Sequence, residues 1–251
     1  MSQKKMKARE ILLTLAIKHK GDWNGIYTEL QAKPQLSEEE INKALDIVNS
    51  KGIKFITLVD EEYPNGLKNS FKPPFVLFYY GNKEILTNEI EKIACLGTRD
   101  IDRYSMEGTQ KYIDEFCEGK TIISNGKGNM DKTVCDKALQ NKTNLIIVLP
   151  NGLDQCDSYV KQYAESGKGL VISEYPTDTP MSQDGCWARN RIIASICNKV
   201  FVSSVKKQSG MIITLTMAIQ NGKDIEILPQ PCTSKLYNNH LILEGATPVV
   251  F

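Results

Sequence analysis

Histidine is scarce in this sequence, with only His19 and His240 among 251 residues. The seven cysteines are scattered, and no Cys-x-x-Cys pair occurs among them. Zinc sites are built chiefly from closely spaced cysteine and histidine ligands. We therefore expect no metal site, and the two histidines are badly placed for a Ser-His-Asp catalytic arrangement.

Long apolar runs are also missing, because no stretch approaches the ~18 residues of a membrane span. The start, Met1-Ser2-Gln3-Lys4-Lys5, lacks the apolar core of a signal peptide. Cys95 and Cys197 lie inside apolar runs, where reduced thiols behave as small hydrophobes. We expect a cytoplasmic protein with no membrane partner. The formal charge of +1 means that binding to nucleic acid would require a local basic face.

Residues 1–52 predict a small helical domain. Apolar positions recur at helical spacing over 7–18, and a second short helix is expected at 23–30. Ser37 and Glu40 have the spacing of a capping box, which predicts a third helix running to about residue 50. The lysines of the first twenty residues are compatible with either a solvated helix face or a contact with DNA.

Short apolar runs alternate with helical-period segments over residues 93–251, after linker strands predicted at 53–92. The apolar runs fall at 93–96, 121–124, 145–149, 170–173, 200–203 and 225–228. Runs that are apolar on both faces imply a parallel sheet covered by helices. The predicted fold class is α/β, with an extended Rossmann-like, doubly wound and mostly parallel sheet preceded by the small helical domain.

Two of the predicted strands end in glycine-containing turns that lead into helices. The residues concerned are Gly97, Thr98, Arg99, Ser124, Gly126, Lys127, Gly128 and Asp131. Both turns should lie at the carboxyl edge of the sheet, where α/β folds bind ligands. Glycine allows close approach of the backbone, and helix amino termini attract anions. The turns therefore predict a phosphate site, although Arg99 can equally be a surface arginine and Asp131 a helix cap.

Further basic and small residues open two later helices. Arg189-Asn190-Arg191 precedes an apolar helical run, and arginine forks match phosphate geometry. A structural salt bridge, for example to Glu174 or Asp184, is the alternative interpretation. Ser209-Gly210 begins another helix and offers N–H groups to an anion. The sequence is rich in binding groups and poor in catalytic groups, so we expect neither an enzyme nor a bound cofactor.

The order and spacing of the motifs from Tyr63 onward resemble the DNA-processing protein A family (DprA, also called Smf). The motifs that carry the resemblance are Tyr63-Pro64, Pro73-Pro74, Gly81-Asn82, Gly97-Thr98-Arg99, Ser124–Asp131, Gly152-Leu153-Asp154, Ser173-Glu174-Tyr175-Pro176, Arg189–Ala194, Ser209-Gly210, Gly222-Lys223 and Gly245-Ala246. No single motif is decisive, but together they identify the chain as a divergent member.

The resemblance implies a single-stranded DNA-binding protein of recombination and natural transformation (competence). Such a protein protects DNA, loads the RecA recombinase onto it and forms a homodimer. The family pocket, carried over to this sequence, consists of Gly97 to Arg99, the loop Ser124–Asp131, Arg189 to Arg191, and Ser209-Gly210. The aromatic side chains Tyr104, Tyr175 and Trp187 are candidates for stacking on bases, with a role as core or surface filler as the alternative.

The sequence departs from the family pattern at four positions. Asn125 and Asn129 stand where glycines are usual, Cys135 replaces a histidine, and Gln230 replaces the glycine after Pro229. Asparagine tolerates left-handed backbone better than most residues, so the loop can keep its shape. The alternative function is a nucleotide-binding sensor, or a base-releasing enzyme, of the wider Rossmann-like group.

Overall fold

The computed structural model describes the backbone of residues 3–87 and 89–251 and the side chains from residue 7 onward. Nine strands form one sheet in the described part of the chain. The strands are β1 (Lys54–Thr57), β2 (Val76–Gly81), β3 (Lys92–Leu96), β4 (Thr121–Ser124), β5 (Asn144–Val148), β6 (Gly169–Ser173), β7 (Lys199–Val202), β8 (Asp224–Ile227) and β9 (Thr247–Pro248).

Helices alternate with these strands along the chain. They are α1 (Gln3–Lys18), α2 (Trp23–Gln31), α3 (Glu38–Ser50), α4 (Asn65–Lys68), α5 (Arg103–Phe116), α6 (Asn129–Gln140), α7 (Ser158–Glu165), α8 (Gln183–Ile196), α9 (Gly210–Gln220) and α10 (Asn238–Leu243). None of the described helices is long and apolar enough to cross a membrane.

The sheet order is β1-β2-β6-β5-β4-β3-β7-β8-β9, and all pairs from β6 to β9 are parallel. From β3 the chain winds outward through β4, β5 and β6 and then returns to place β7 on the other side of β3. The junction of β3 and β7 is therefore the topological switch point, where α/β sheets bind ligands. This topology confirms the predicted fold class.

Side chains of β3 alternate between two apolar layers, as the two-residue repeat of a strand requires. Ile93 and Cys95 pack with residues of α5, α6 and α7. Ala94 and Leu96 pack in the other layer with α8 and α9. Helices cover both faces of this strand, which explains its uninterrupted apolar run.

The helical region is held by the predicted capping box at α3. The Ser37 amide donates to Glu40 Oε2 at 2.8 Å, and the Glu40 amide donates to Ser37 Oγ at 3.2 Å. Trp23 of α2 stacks on Phe75 with ring centroids 5.2 Å apart. The segment 53–92, expected to form linker strands, contains β1 and β2, which pair antiparallel with each other, and β2 also pairs antiparallel with β6. The division into domains stays a prediction.

Candidate functional site

A cavity of about 360 Å³ lies at the β3–β7 switch point. Nine of the thirteen predicted site residues line it: Gly97, Thr98, Arg99, Lys127, Asp131, Arg189, Asn190, Ser209 and Gly210. Four others, Ser124, Gly126, Gly128 and Arg191, do not line it. The sheet topology thus brings together residues that are more than a hundred positions apart in the sequence.

The Gly97 turn is pinned to the end of β7. The Thr98 amide donates to the Ser204 carbonyl at 3.0 Å and lies 3.0 Å from Ser204 Oγ. A Cβ atom at Gly97 would lie only 2.6 Å from Ser203 Oγ and 3.0 Å from Met130. Only glycine fits this turn without displacing its neighbours, and the turn presents the exposed Arg99 to the cavity.

Asp131 is buried and organises the loop Ser124–Asp131 through hydrogen bonds. Its carboxylate accepts a hydrogen bond from Ser124 Oγ at 2.6 Å and one from the Asn125 amide at 2.8 Å. Helix α6 begins two residues earlier, with Gly128 as its N-cap, so Asp131 is not the cap. Burial raises the pKa of Asp131, and the two hydrogen bonds oppose that rise. We conclude that Ser124 and Asp131 shape the loop.

The two glycines of this loop supply its left-handed backbone. Gly126 has a φ of 72° and Gly128 a φ of 101°. A Cβ at Gly128 would lie 3.2 Å from Arg99 Cα, so the glycine also lets the two turns meet. Asn125 and Asn129 are not among the described residues with positive φ. The left-handed backbone of this loop therefore falls on Gly126 and Gly128 and not on the two asparagines.

Arg189 and Asn190 lie in the middle of α8, which begins at Gln183 and not at Arg189 as predicted, and they connect this helix to the start of α9. Arg189 Nε and Nη2 donate to Asn190 Oδ1 at 3.2 and 2.9 Å. Asn190 Nδ2 in turn donates to the Gly210 carbonyl at 3.2 Å. Burial lowers the pKa of Arg189, and Arg99 adds to that lowering while Asp131 opposes it. An anion bound in the cavity would stabilise the charged guanidinium and so offset the unfavourable effect of its burial.

Ser209 stands at the N-cap of α9, but its side chain makes no capping hydrogen bond. Its Oγ atom is buried and has no hydrogen-bond partner in the described part of the chain. Buried polar atoms in proteins are nearly always paired, and free N–H groups at a helix start favour anions. The unpaired hydroxyl therefore points to an oxygen-bearing ligand in the cavity.

Four cationic side chains line the cavity: Arg99, Lys127, Arg189 and Lys206. Among the described residues, none of the four forms an ion pair with a carboxylate. The cavity also contains Asp100 and the buried Asp131. The balance of charge is positive, which suits an anionic ligand.

Arg191 was predicted to belong to the site, but it does not line the cavity. Its side chain is 5% exposed and forms a buried ion pair with Glu174, at the end of β6. The guanidinium carbon also lies 5.4 Å from the centre of the Trp187 ring. Two residues along a helix turn the side chain by about 200°. Arg189 therefore faces the cavity, whereas Arg191 faces away from it and is held by a carboxylate.

Several functional positions were not identified from the sequence. Lys206 was noted only as charge upstream of α9, and Asn125 only as a departure from the family loop, yet both line the cavity. Gln230 is buried, and its Nε2 donates to Ser203 O at 2.8 Å and Ser105 Oγ at 3.1 Å.

No cluster of metal-ligating side chains occurs in the described residues.

The DNA recombination-mediator protein A family matches residues 54–250 of this chain. The DNA processing protein DprA of Streptococcus pneumoniae is 32% identical over 197 residues, covering 76% of this chain and 68% of that protein. The DprA of Bacillus subtilis is 26% identical over 200 residues, covering 76% and 65%. The match thus spans about two thirds of these relatives' lengths.

Solved structures agree with the sequence relatives. The crystal structure of DprA from Streptococcus pneumoniae superposes with a TM-score of 0.76 at 26% identity, covering 96% of this chain and 89% of that one. DprA from Helicobacter pylori gives a TM-score of 0.71 at 24% identity, covering 79% and 91%, and shares the fold. The family match, the relatives and the shared sheet lead to one conclusion: this chain belongs to the DNA recombination-mediator protein A family.

Proposed function

We propose that the cavity binds phosphates of single-stranded DNA and that the protein acts as a mediator of recombination or natural transformation. The observation that carries the proposal is the group of unpaired cations at the switch point, beside the unpaired Ser209 hydroxyl. Arginine and lysine supply most of the affinity of sequence-independent binding to DNA by releasing counterions.

A polymer suits this site better than a small molecule for a geometric reason. Arg99, Lys127 and Lys206 are exposed at the cavity, so they are reachable by a strand that passes across the sheet edge. Arg189 and Ser209 lie deeper and would hold one phosphate firmly. The Helicobacter relative's structure was described for its binding of single-stranded DNA, which supports the same ligand class here.

We propose binding without a chemical step. Asp131 is buried and already accepts two hydrogen bonds, and Glu174 is held in its ion pair with Arg191. Neither carboxylate is free to act as a general base. Among the described cavity residues, Asp100 is the remaining carboxylate, and it is exposed to solvent.

Loading of a RecA-type recombinase, protection of the strand, homodimer formation and a cytoplasmic location complete the proposal. These features rest on family membership. Purified protein should increase RecA assembly on single-stranded DNA coated with a single-strand-binding protein, and Arg99→Ala should reduce that increase. Light scattering coupled to size exclusion should give twice the 28.2 kDa chain mass.

The test of the proposal compares ligands of different length. Fluorescence anisotropy should show affinity for labelled oligo-dT rising with length, and dTMP should not compete at concentrations that match the nucleotides of the oligomer. A nucleotide sensor would instead saturate with the mononucleotide and gain thermal stability from it by mass action. That result would replace the DNA-binding proposal.

A further inference from the structure

Two exposed aromatic side chains form a pair outside the cavity. Phe71 is 72% exposed and Trp187 is 36% exposed. Their ring centroids are 6.4 Å apart, with the rings nearly perpendicular at 85°. Large exposed aromatic surface is unfavourable in water unless another molecule covers it. The Arg191 guanidinium lies over the Trp187 ring, whereas most of the Phe71 ring remains open to such a molecule.

The pair lies at the same edge of the sheet as the cavity. Strand β2 runs antiparallel to β6, with Phe78 opposite Ser173, so the residues just before Val76 lie beyond the carboxyl end of β6. Phe71 belongs to that segment. Trp187 precedes Arg189 by two residues on α8, a rise of about 3 Å. The Trp187 and Arg189 side chains point about 200° apart around the helix, so a DNA strand leaving the cavity at Arg189 would have to pass over α8 to reach the aromatic pair.

A cation accompanies the aromatic rings. Lys72 Nζ lies 5.8 Å from the centre of the Phe71 ring and 5.1 Å from that of Trp23. It donates to Asn24 Oδ1 at 2.9 Å and has no carboxylate partner among the described residues. Trp23 in turn stacks on Tyr27 at 5.0 Å. The surface thus combines ring faces with an ammonium that is not neutralised.

We propose that Phe71 and Trp187 stack on unpaired bases of a DNA strand whose phosphates occupy the cavity, with Lys72 beside the backbone. This inference rests on the proposed function and extends its binding site. Every base has a π-face, so stacking tolerates any sequence. A duplex hides those faces inside its own stack. The aromatic pair would therefore favour single strands over duplex DNA, which cavity cations alone do not do.

Two oligonucleotides of equal length separate the two parts of the site: oligo-dT, and an abasic strand that keeps the phosphates. In anisotropy titrations, Phe71→Ala and Trp187→Ala should each lower affinity for oligo-dT about tenfold. Both variants should leave affinity for the abasic strand unchanged. Phe71→Tyr should keep wild-type affinity. Phe116→Ala is the matched control, because Phe116 is 38% exposed but lies at the far end of α5.

The outcomes distinguish the inference from the proposed function. If wild type binds neither strand, the proposed function fails and the stacking role fails with it. If wild type binds oligo-dT and Phe71→Ala binds it equally well, the stacking role is overturned while DNA binding stands. Loss of abasic binding in Phe71→Ala would also overturn it, because the phosphate site would then be affected.

A spectroscopic measurement supplies a second readout. The chain has two tryptophans, so Trp23→Phe leaves Trp187 as the sole fluorophore of that kind. Oligo-dT should quench its emission at the concentrations that saturate the anisotropy signal, and the abasic strand should not. Equal quenching by both strands, or none by either at saturation, would contradict base stacking on Trp187.

Discussion

Two arginines of one short motif lie in opposite environments. Arg189 lines the cavity, and its side-chain hydrogen-bond partner among the described residues is the neutral Asn190 oxygen. Arg191 is buried against Glu174 and does not reach the cavity. The comparison separates two uses of positive charge at the same sheet edge. Charge left without a carboxylate is available to a ligand, whereas charge paired in the interior holds the fold.

The buried pair connects regions that lie far apart in the sequence. Glu174 follows β6 and Arg191 lies on α8, while the Glu174 carbonyl lies close to Gly21, just before α2. Burial raises the pKa of Glu174, and the guanidinium of Arg191 opposes that rise. Removing one partner leaves a buried charge unpaired, which costs more than an ordinary hydrogen bond.

The largest effect is expected from Arg191→Ala. Loss of the guanidinium leaves the buried Glu174 carboxylate without its partner, so the free energy of unfolding should fall by about 3–5 kcal/mol. Urea denaturation followed by circular dichroism measures the change. Adding Glu174→Leu should recover a large part of it. A loss below about 1 kcal/mol in the single variant would show that the pair does not hold the fold.

Arg99→Ala should show the opposite behaviour. Its side chain is exposed and forms no ion pair within the described part of the chain, so the free energy of unfolding should change by less than about 0.5 kcal/mol. Affinity for oligo-dT should fall by about 1.5–3 kcal/mol, the range for a hydrogen bond to a charged group. Lys111→Ala, another exposed cation but on the outside of α5, should leave affinity unchanged. If Arg99→Ala lowered the free energy of unfolding as much as Arg191→Ala does, the proposed difference between the two arginines would be contradicted.

Asp131→Ala should affect stability through the loop. The change leaves Ser124 Oγ and the Asn125 amide without their acceptor, at an expected cost of about 1–3 kcal/mol. Thermal or urea unfolding measures it, with Asp136→Ala on the exposed face of α6 as the control. Wild-type stability in Asp131→Ala would mean that the carboxylate does not organise the loop.

Ser209→Ala gives the smallest and most specific effect. The hydroxyl has no partner in the described protein, so stability should stay at the wild-type value or rise slightly. If the hydroxyl binds a phosphate oxygen, affinity for oligo-dT should fall by about 0.5–1.5 kcal/mol. Equal affinity would show that the ligand does not reach Ser209.

Much of the fold follows from the sequence because strands apolar on both faces are conspicuous. The run expected at 145–149 corresponds to Asn144–Val148, and that at 121–124 to Thr121–Ser124. The antiparallel attachment of β2 to β6 was not predicted. Those strands lie about ninety positions apart, and their pairing depends on how the helices pack rather than on a local pattern.

The site was predicted less completely than the fold. Glycine turns after parallel strands located Gly97 and the Ser124–Asp131 loop, because chain topology places strand ends together. Arg191 was assigned to the wrong side, although helical spacing already separates it from Arg189. The role of Asp131 could not be read from sequence, since it depends on hydrogen bonds seven residues back at Ser124.

The salt dependence of oligo-dT binding tests the central claim most directly, which is that unpaired cavity cations neutralise phosphates. The logarithm of the binding constant should fall linearly with the logarithm of salt concentration in the wild type. The double variant Arg99→Ala with Lys127→Ala should reduce that slope by about 1.4, or 0.7 for each lost phosphate contact. An unchanged slope in a folded double variant would contradict the claim and place the DNA elsewhere.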